Sequence, residues 1–181
     1  VILLNKIWKG LQSNESYSEL ISPLGLQNII KNDMVINCLS YFDDIFIQLA
    51  TLGDHLQILK FFINDPFYKL IPEDDCNFIL AQLNARGGKV ALPFHIDTRM
   101  VTPGYQTWSM QGFLATEKIS KNQGGLIVRP KSHLLSEFPD SKESYDDVAD
   151  LDLDSGDFVI FSSQLHHATN QNLNQYIPWT I

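Results

Sequence analysis

His95-Ile96-Asp97 places an imidazole and a carboxylate two residues apart. On an extended segment, positions i and i+2 project to the same side, so both groups can reach one metal ion. A second source of imidazole, His166-His167, stands about 70 residues later in a strand-like run. Adjacent strand residues face opposite sides, so only one of this pair can share a site with His95 and Asp97. Leu165 has the parity of His167, and an apolar neighbour on that face favours His167 as the inward member. Two histidines and one carboxylate on one face of an ion, with the other positions open, suit mononuclear non-haem Fe(II) oxygenase chemistry. A thiolate-rich set would instead favour zinc or a cluster. Alone, the triplet is a weak signal: five His and fifteen Asp in 181 residues give a His-x-Asp about 0.4 times by chance. A lone strand histidine is more often a hydrogen-bonded structural residue than a ligand.

These residues need elements to hold them. Up to about residue 75 the pattern is mainly helical. Ser22-Pro23 reads as an N-cap with proline at the first helical position, leading into Leu24, Leu26, Ile29 and Ile30. Asp54 is expected to cap a helix carrying Leu56, Leu59, Phe62 and Ile63, and Asp65-Pro66 to open the short segment Phe67–Ile71. The apolar stretch Met34–Gly53 is read as helix. From Cys76 the punctuation changes to short runs separated by Gly, Pro, Asn and Asp. The predicted strands are Asn77–Ala85, Val90–His95, Thr107–Thr116, Leu126–Arg129, Val148–Leu153, Phe158–Ser162, Leu165–Thr169 and Tyr176–Ile181. With no helical segment between them, they suggest an antiparallel sandwich or small barrel rather than a βαβ sheet. Gly87-Gly88, Gly124-Gly125 and Ser155-Gly156-Asp157 supply turns, and the acidic stretch Asp140–Asp157 is expected to be a solvated loop.

Composition narrows the functional classes. At 181 residues, with 44% hydrophobic and 11% aromatic side chains, the chain is expected to form a single domain with a real core. Thirteen basic against 21 acidic residues, a net charge of −8, argue against a nucleic-acid partner. No apolar run approaches the roughly 18 residues of a membrane helix, so no membrane partner is expected. Cys38 and Cys76 form no disulfide framework and read as small buried hydrophobes, which makes a reducing, cytoplasmic setting the expectation. A first residue of Val1 rather than Met suggests a piece of a longer chain. There is no phosphate-binding glycine loop, no Gly-x-Ser-x-Gly and no Cys-x-x-Cys, which removes kinases, serine hydrolases and thiol redox enzymes.

The order of motifs carries more information than any one of them. After His95-Ile96-Asp97 come a tryptophan-led strand from Trp108 to Glu117 and then Asn122-Gln123-Gly124-Gly125-Leu126-Ile127-Val128-Arg129-Pro130-Lys131-Ser132-His133. Ser155-Gly156-Asp157-Phe158-Val159-Ile160-Phe161 precedes His167-Ala168-Thr169-Asn170-Gln171-Asn172. In this order, from about Gln82 to Ile181, the chain resembles the phytanoyl-CoA dioxygenase family of Fe(II)/2-oxoglutarate oxygenases. The match to that family's distal "H-x-S-x-x-N" singles out His167 over His166.

The resemblance implies a mostly β protein with N-terminal helices and a double-stranded β-helix (jelly-roll, cupin-like) core. Residues 1–75 would pack on the barrel formed by 76–181. It implies His95, Asp97 and His167 as iron ligands, 2-oxoglutarate as co-substrate, dioxygen, and a small organic molecule to be hydroxylated or oxidised. Gln82, Asn84 and Arg86 match polar positions that contact the co-substrate, Trp108 borders the site, and Thr169 stands where the family has a small hydroxyl residue. Related halogenases have a small residue at the position of Asp97, so the carboxylate here implies a hydroxylase. One departure stands out: the family's arginine eleven residues after the distal histidine is Pro178 here. Arg86, Lys89, Arg99 and Arg129 are the candidate replacements for its bidentate carboxylate pair. The alternative is a jelly-roll metal-binding or regulatory protein of the same family that does not use 2-oxoglutarate. His133 is expected to be structural and His55 a surface or cap residue, with specificity in the loops Thr98–Gln106 and Leu134–Asp150.

Overall fold

The computed structural model describes residues 2–6, 43–64, 66, 91–98, 101, 110–174 and 180. The expected elements at Ser22–Ile30, Phe67–Ile71 and Asn77–Ala85, the Gly87-Gly88 turn and the two cysteines lie outside them.

Among the described residues, 2–6 are helical and two further short helices lie ahead of the strands. Helix α1 (Asp44–Leu52), within the stretch read as helical, starts where extended Asp43 accepts a hydrogen bond from the Ile45 N–H at 2.9 Å. Its Phe46 is buried. Helix α2 (His55–Ile63) forms as expected, but Asp54 does not cap it with its side chain. Asp54 already has helical angles (φ −60°, ψ −20°), and a capping carboxylate needs the extended backbone that Asp43 has. Left-handed Asn64 (φ 56°) ends α2, its N–H reaching the carbonyls of Lys60 and Phe61. Phe62, expected on the apolar face, is exposed.

The described strands are short and all pair antiparallel. Strand β1 (Met110–Leu114) pairs with β4 (Phe158–Ser162), Met110 opposite Ser162 and Leu114 opposite Phe158. Strand β2 (Leu126–Val128) lies between β3 (Ala149–Asp150) and β5 (His167–Thr169). The chain thus leaves the first sheet after β1, builds two strands of the second, returns for β4 and crosses again to β5. Strand alternation decides what faces the core. Phe113 and Val159, directly opposite each other, pack with Ala115 against Ile119 and Leu153. On the other face of β4, Phe158 stacks on His55 of α2 with ring centroids 4.8 Å apart. His55 is therefore a packing residue as well as a surface one.

The acidic stretch is not a plain solvated loop. Ala149, Leu151 and Leu153 alternate with Asp150, Asp152 and Asp154, and this period of two lets the segment pair as β3 and send Leu153 into the core. Asp150 accepts from Lys121 Nζ at 2.8 Å and Asn170 Nδ2 at 2.7 Å.

The turn before β2 closes where the Ser120 carbonyl accepts from the N–H groups of Gln123 and Gly125, and a Cβ on Gly125 would lie 2.7 Å from that oxygen. Gly125→Ala should therefore lower stability by about 1–3 kcal/mol in urea denaturation. The hydrogen bonds from Lys121, then Asn170, hold the Asp150 carboxyl below its ordinary pKa. Its stabilisation is full above the unfolded pKa and fades as pH falls through the folded value, so Asp150→Asn should flatten the acid limb of a stability–pH curve.

Candidate metal centre

The segment carrying His95 joins β5 by a reciprocal pair of backbone hydrogen bonds. His95 N–H donates to His167 O at 2.9 Å and His167 N–H to His95 O at 3.0 Å. Residues paired this way stand directly opposite and on the same face. Their imidazole centroids are 4.2 Å apart. One step on, Asp97 N–H bonds Ser163 O at 2.9 Å, which carries the carboxylate round to the same space. Asp97 Oδ2 lies 3.4 Å from His167 Nε2, and Oδ1 3.8 Å from His95 Nε2. Two donors bound at about 2.1 Å and at right angles to each other stand about 3 Å apart, so both separations are within 1 Å of that spacing. Among the described residues, this is the cluster able to hold an ion.

Both rings are oriented by main-chain carbonyls. His95 Nδ1 lies 2.8 Å from Pro93 O, and His167 Nδ1 2.9 Å from Leu165 O. A carbonyl can only accept, so each Nδ1 carries a proton, and in the neutral ring Nε2 is left to present a lone pair. Two imine nitrogens and a carboxylate then converge with no donor supplied by the three side chains. One divalent cation satisfies all three together, and the carbonyls are the outer partners that metal-binding histidines generally have. His167 is buried, while the side chains of His95 and Asp97 are 37% and 31% exposed. The centre is walled on one side and open on the other, which leaves room for further ligands.

Neighbouring residues fix this arrangement. Phe161 of β4 packs on the His167 ring at 4.9 Å. Thr169 Oγ1 accepts from Leu92 N–H at 3.0 Å, and Thr169 N–H donates to Leu92 O at 3.2 Å, which ties the His95 segment to β5 a second time. The hydroxyl's own proton stays available as a donor.

Of the adjacent histidines, His167 turns toward Asp97 and His166 away. His166 is 1% exposed, its N–H bonds Ser132 Oγ at 2.8 Å, and its Nε2 donates to Glu137 O at 2.9 Å. His133 sits in a 3-10 turn (Ser132–Leu134), where burial pushes its pKa down. Arg129 does not take the place of the missing arginine. Val128 is the residue opposite His167, so Arg129 projects from the other face. There its Nε donates to both Asp147 oxygens at 2.9 and 3.0 Å, a bond that raises its pKa, and its guanidinium lies 4.4 Å from the Tyr145 ring centroid. Gln82, Asn84, Arg86, Lys89, Arg99, Trp108 and Pro178 lie outside the described residues. Phe161 and Tyr145 were not anticipated; a single aromatic among Asp, Glu and Ser was the available sign for Tyr145.

Residues 56–177 match the family model described as phytanoyl-CoA dioxygenase (PhyH), a span of more than half the chain that includes the triad. The chain belongs to the phytanoyl-CoA dioxygenase family. No curated protein sequence matches it significantly. Among solved structures it is similar to HygX from Streptomyces hygroscopicus with nickel and 2-oxoglutarate bound. That likeness has a TM-score of 0.61 and 18% identity, over 81% of this chain and 66% of HygX. The iron-bound form of HygX gives 0.60 and 18%, over 81% and 69%. The epimerase SnoN, in complex with Fe3+, alpha-ketoglutarate and nogalamycin RO, gives 0.53 and 16%, over 81% and 60%. At these identities the likeness is one of fold. The chain spans slightly less than two-thirds of HygX in its nickel complex.

The opposite orientations of the paired histidines predict unequal phenotypes. His167→Ala should weaken Mn(II) binding by about 100-fold or more in calorimetric titration. His166→Ala keeps all three ligands and should cost far less Mn(II) affinity, about 10-fold, through lost packing, while also lowering thermal stability by about 1–3 kcal/mol.

Proposed function

We propose that this chain is a mononuclear non-haem Fe(II), 2-oxoglutarate-dependent dioxygenase that hydroxylates or otherwise oxidises a small organic molecule. The observation that carries the reading is the convergence of His95 Nε2, His167 Nε2 and the Asp97 carboxylate on one space, each imidazole held in the metal-binding tautomer by a carbonyl. Family membership and a fold shared with proteins crystallised with iron, nickel and 2-oxoglutarate support it.

In this reading His95, Asp97 and His167 would hold the iron. Iron held this way supplies dioxygen activation, with 2-oxoglutarate as electron donor. The chain's own work is placement and shielding. Buried His167 with Phe161 against it excludes water from one wall, and the Thr169 hydroxyl offers a donor beside the co-substrate. Gln82, Asn84, Arg86 and Trp108 would supply its remaining contacts. The carboxylate of Asp97 fills the position that a halide would need, which favours hydroxylation. The two antiparallel sheets joined by crossovers are read as part of a jelly-roll barrel, with 1–181 a single domain.

A second reading, a metal-binding or regulatory protein that does not use 2-oxoglutarate, draws on one observation. Arg129, a candidate to anchor the far carboxylate, is already paired with Asp147. Anaerobic titration separates the two. Under the first reading, 2-oxoglutarate added to the Fe(II) protein produces a weak visible charge-transfer band, and admitting dioxygen releases succinate. An unchanged spectrum at millimolar 2-oxoglutarate favours the second, and a protein that takes up no Fe(II) overturns both.

A further inference from the structure

Tyr145 touches the neighbours of both imidazole ligands. Its ring lies edge-on to Phe94, centroids 5.0 Å apart at 82°, and 6.3 Å from the ring of His166. Both distances lie in the range of attractive aromatic pairs. Phe94 immediately precedes His95, and His166 immediately precedes His167. One side chain therefore bears on the two segments whose reciprocal backbone pair sets the separation of the metal-facing rings.

Tyr145 is itself held from its own side. The Arg129 guanidinium lies 4.4 Å from its ring centroid and is fixed by two hydrogen bonds to Asp147. The phenol oxygen accepts from the Asp140 N–H at 2.9 Å. The same loop reaches His166 a second time through the Glu137 carbonyl. His166 Nδ1 is buried without a hydrogen-bond partner, so that edge of the ring is held by packing.

We propose that Tyr145 is a positioning residue for the metal centre. Its ring, packed against Phe94 and His166, fixes the spacing of the two segments at the level of His95 and His167. The loop over residues 135–148 and the metal triad then act as one cooperative unit: whatever orders the loop tightens the ion, and the ion orders the loop by the same factor. The proposal rests on reading His95, Asp97 and His167 as metal ligands, and its test separates the two claims. Removing the ring leaves a void beside both segments, and packed interiors transmit such a loss to their neighbours.

The test is Mn(II) titration of the metal-free protein followed by electron paramagnetic resonance, with hydrogen exchange across 135–148. Tyr145→Ala should weaken Mn(II) binding by about 10-fold or more, and Tyr145→Phe should stay within about 3-fold of the parent. Mn(II) should slow exchange in 135–148 in the parent and in Tyr145→Phe but not in Tyr145→Ala. Leu153→Ala, which opens a cavity in the Ala115–Ile119–Leu153 cluster, should lower the melting temperature yet leave Mn(II) affinity unchanged. That variant separates positioning from general destabilisation. If Tyr145→Ala does not fold, Tyr145→Leu keeps apolar bulk without a flat ring and should still lose about 3-fold or more. Parental affinity in the folded alanine or leucine variant overturns the proposal while leaving the metal reading intact. A parent protein that binds no Mn(II) overturns the metal reading itself.

Discussion

Two backbone hydrogen bonds, one in each direction between His95 and His167, are the constraint on which the rest of the site depends. They join segments that are distant in sequence and force both side chains to the same face. A slip of one residue would send His166 inward and His167 outward, and the ring that the Leu165 carbonyl orients would be lost to the site. The pairing is reinforced where Thr169 and Leu92 bond each other and where Asp97 continues to Ser163. Coordination geometry here is a matter of strand register.

The same alternation divides the work between the two faces. One face carries His95, Asp97 and His167, with Phe161 against the buried ring. The other carries His166 and Arg129, with Tyr145, Glu137 and Asp147 packed over them. The polar groups on the two faces meet different needs. On the first, three acceptors converge and call for a cation. On the second, cation and carboxylate neutralise each other, and a buried imidazole finds a carbonyl. An arginine that could have served a dicarboxylate is thereby committed to holding a loop in place.

Much of this was legible in the sequence because it depends on period-two patterns. β4 falls on the expected Phe158–Ser162, β1 and β2 lie within their expected runs, and the parity of Leu165 and His167 gave the orientation of the histidine pair. The misjudged features depend on information that local patterns do not carry. Asp54 has the right side chain for a cap but the wrong backbone angles. The stretch Asp140–Asp157 is a solvated loop by its charge and a strand over Val148–Leu153 by its alternation, and the pairing of Ala149–Asp150 bears out the strand. Arg129 and Asp147 are 18 residues apart, and only the path of the intervening loop brings them together. Tyr145 likewise gains its partners through tertiary contact.

The central claim is that one cation is held by His95 Nε2, Asp97 and His167 Nε2. The most direct measurement is anomalous diffraction at the iron edge from crystals loaded anaerobically with Fe(II). The account predicts a single strong peak about 2.1 Å from those three donors, with both Nδ1 atoms still bonded to the carbonyls of Pro93 and Leu165. A peak on other side chains, or on Nδ1 of either ring, would contradict it.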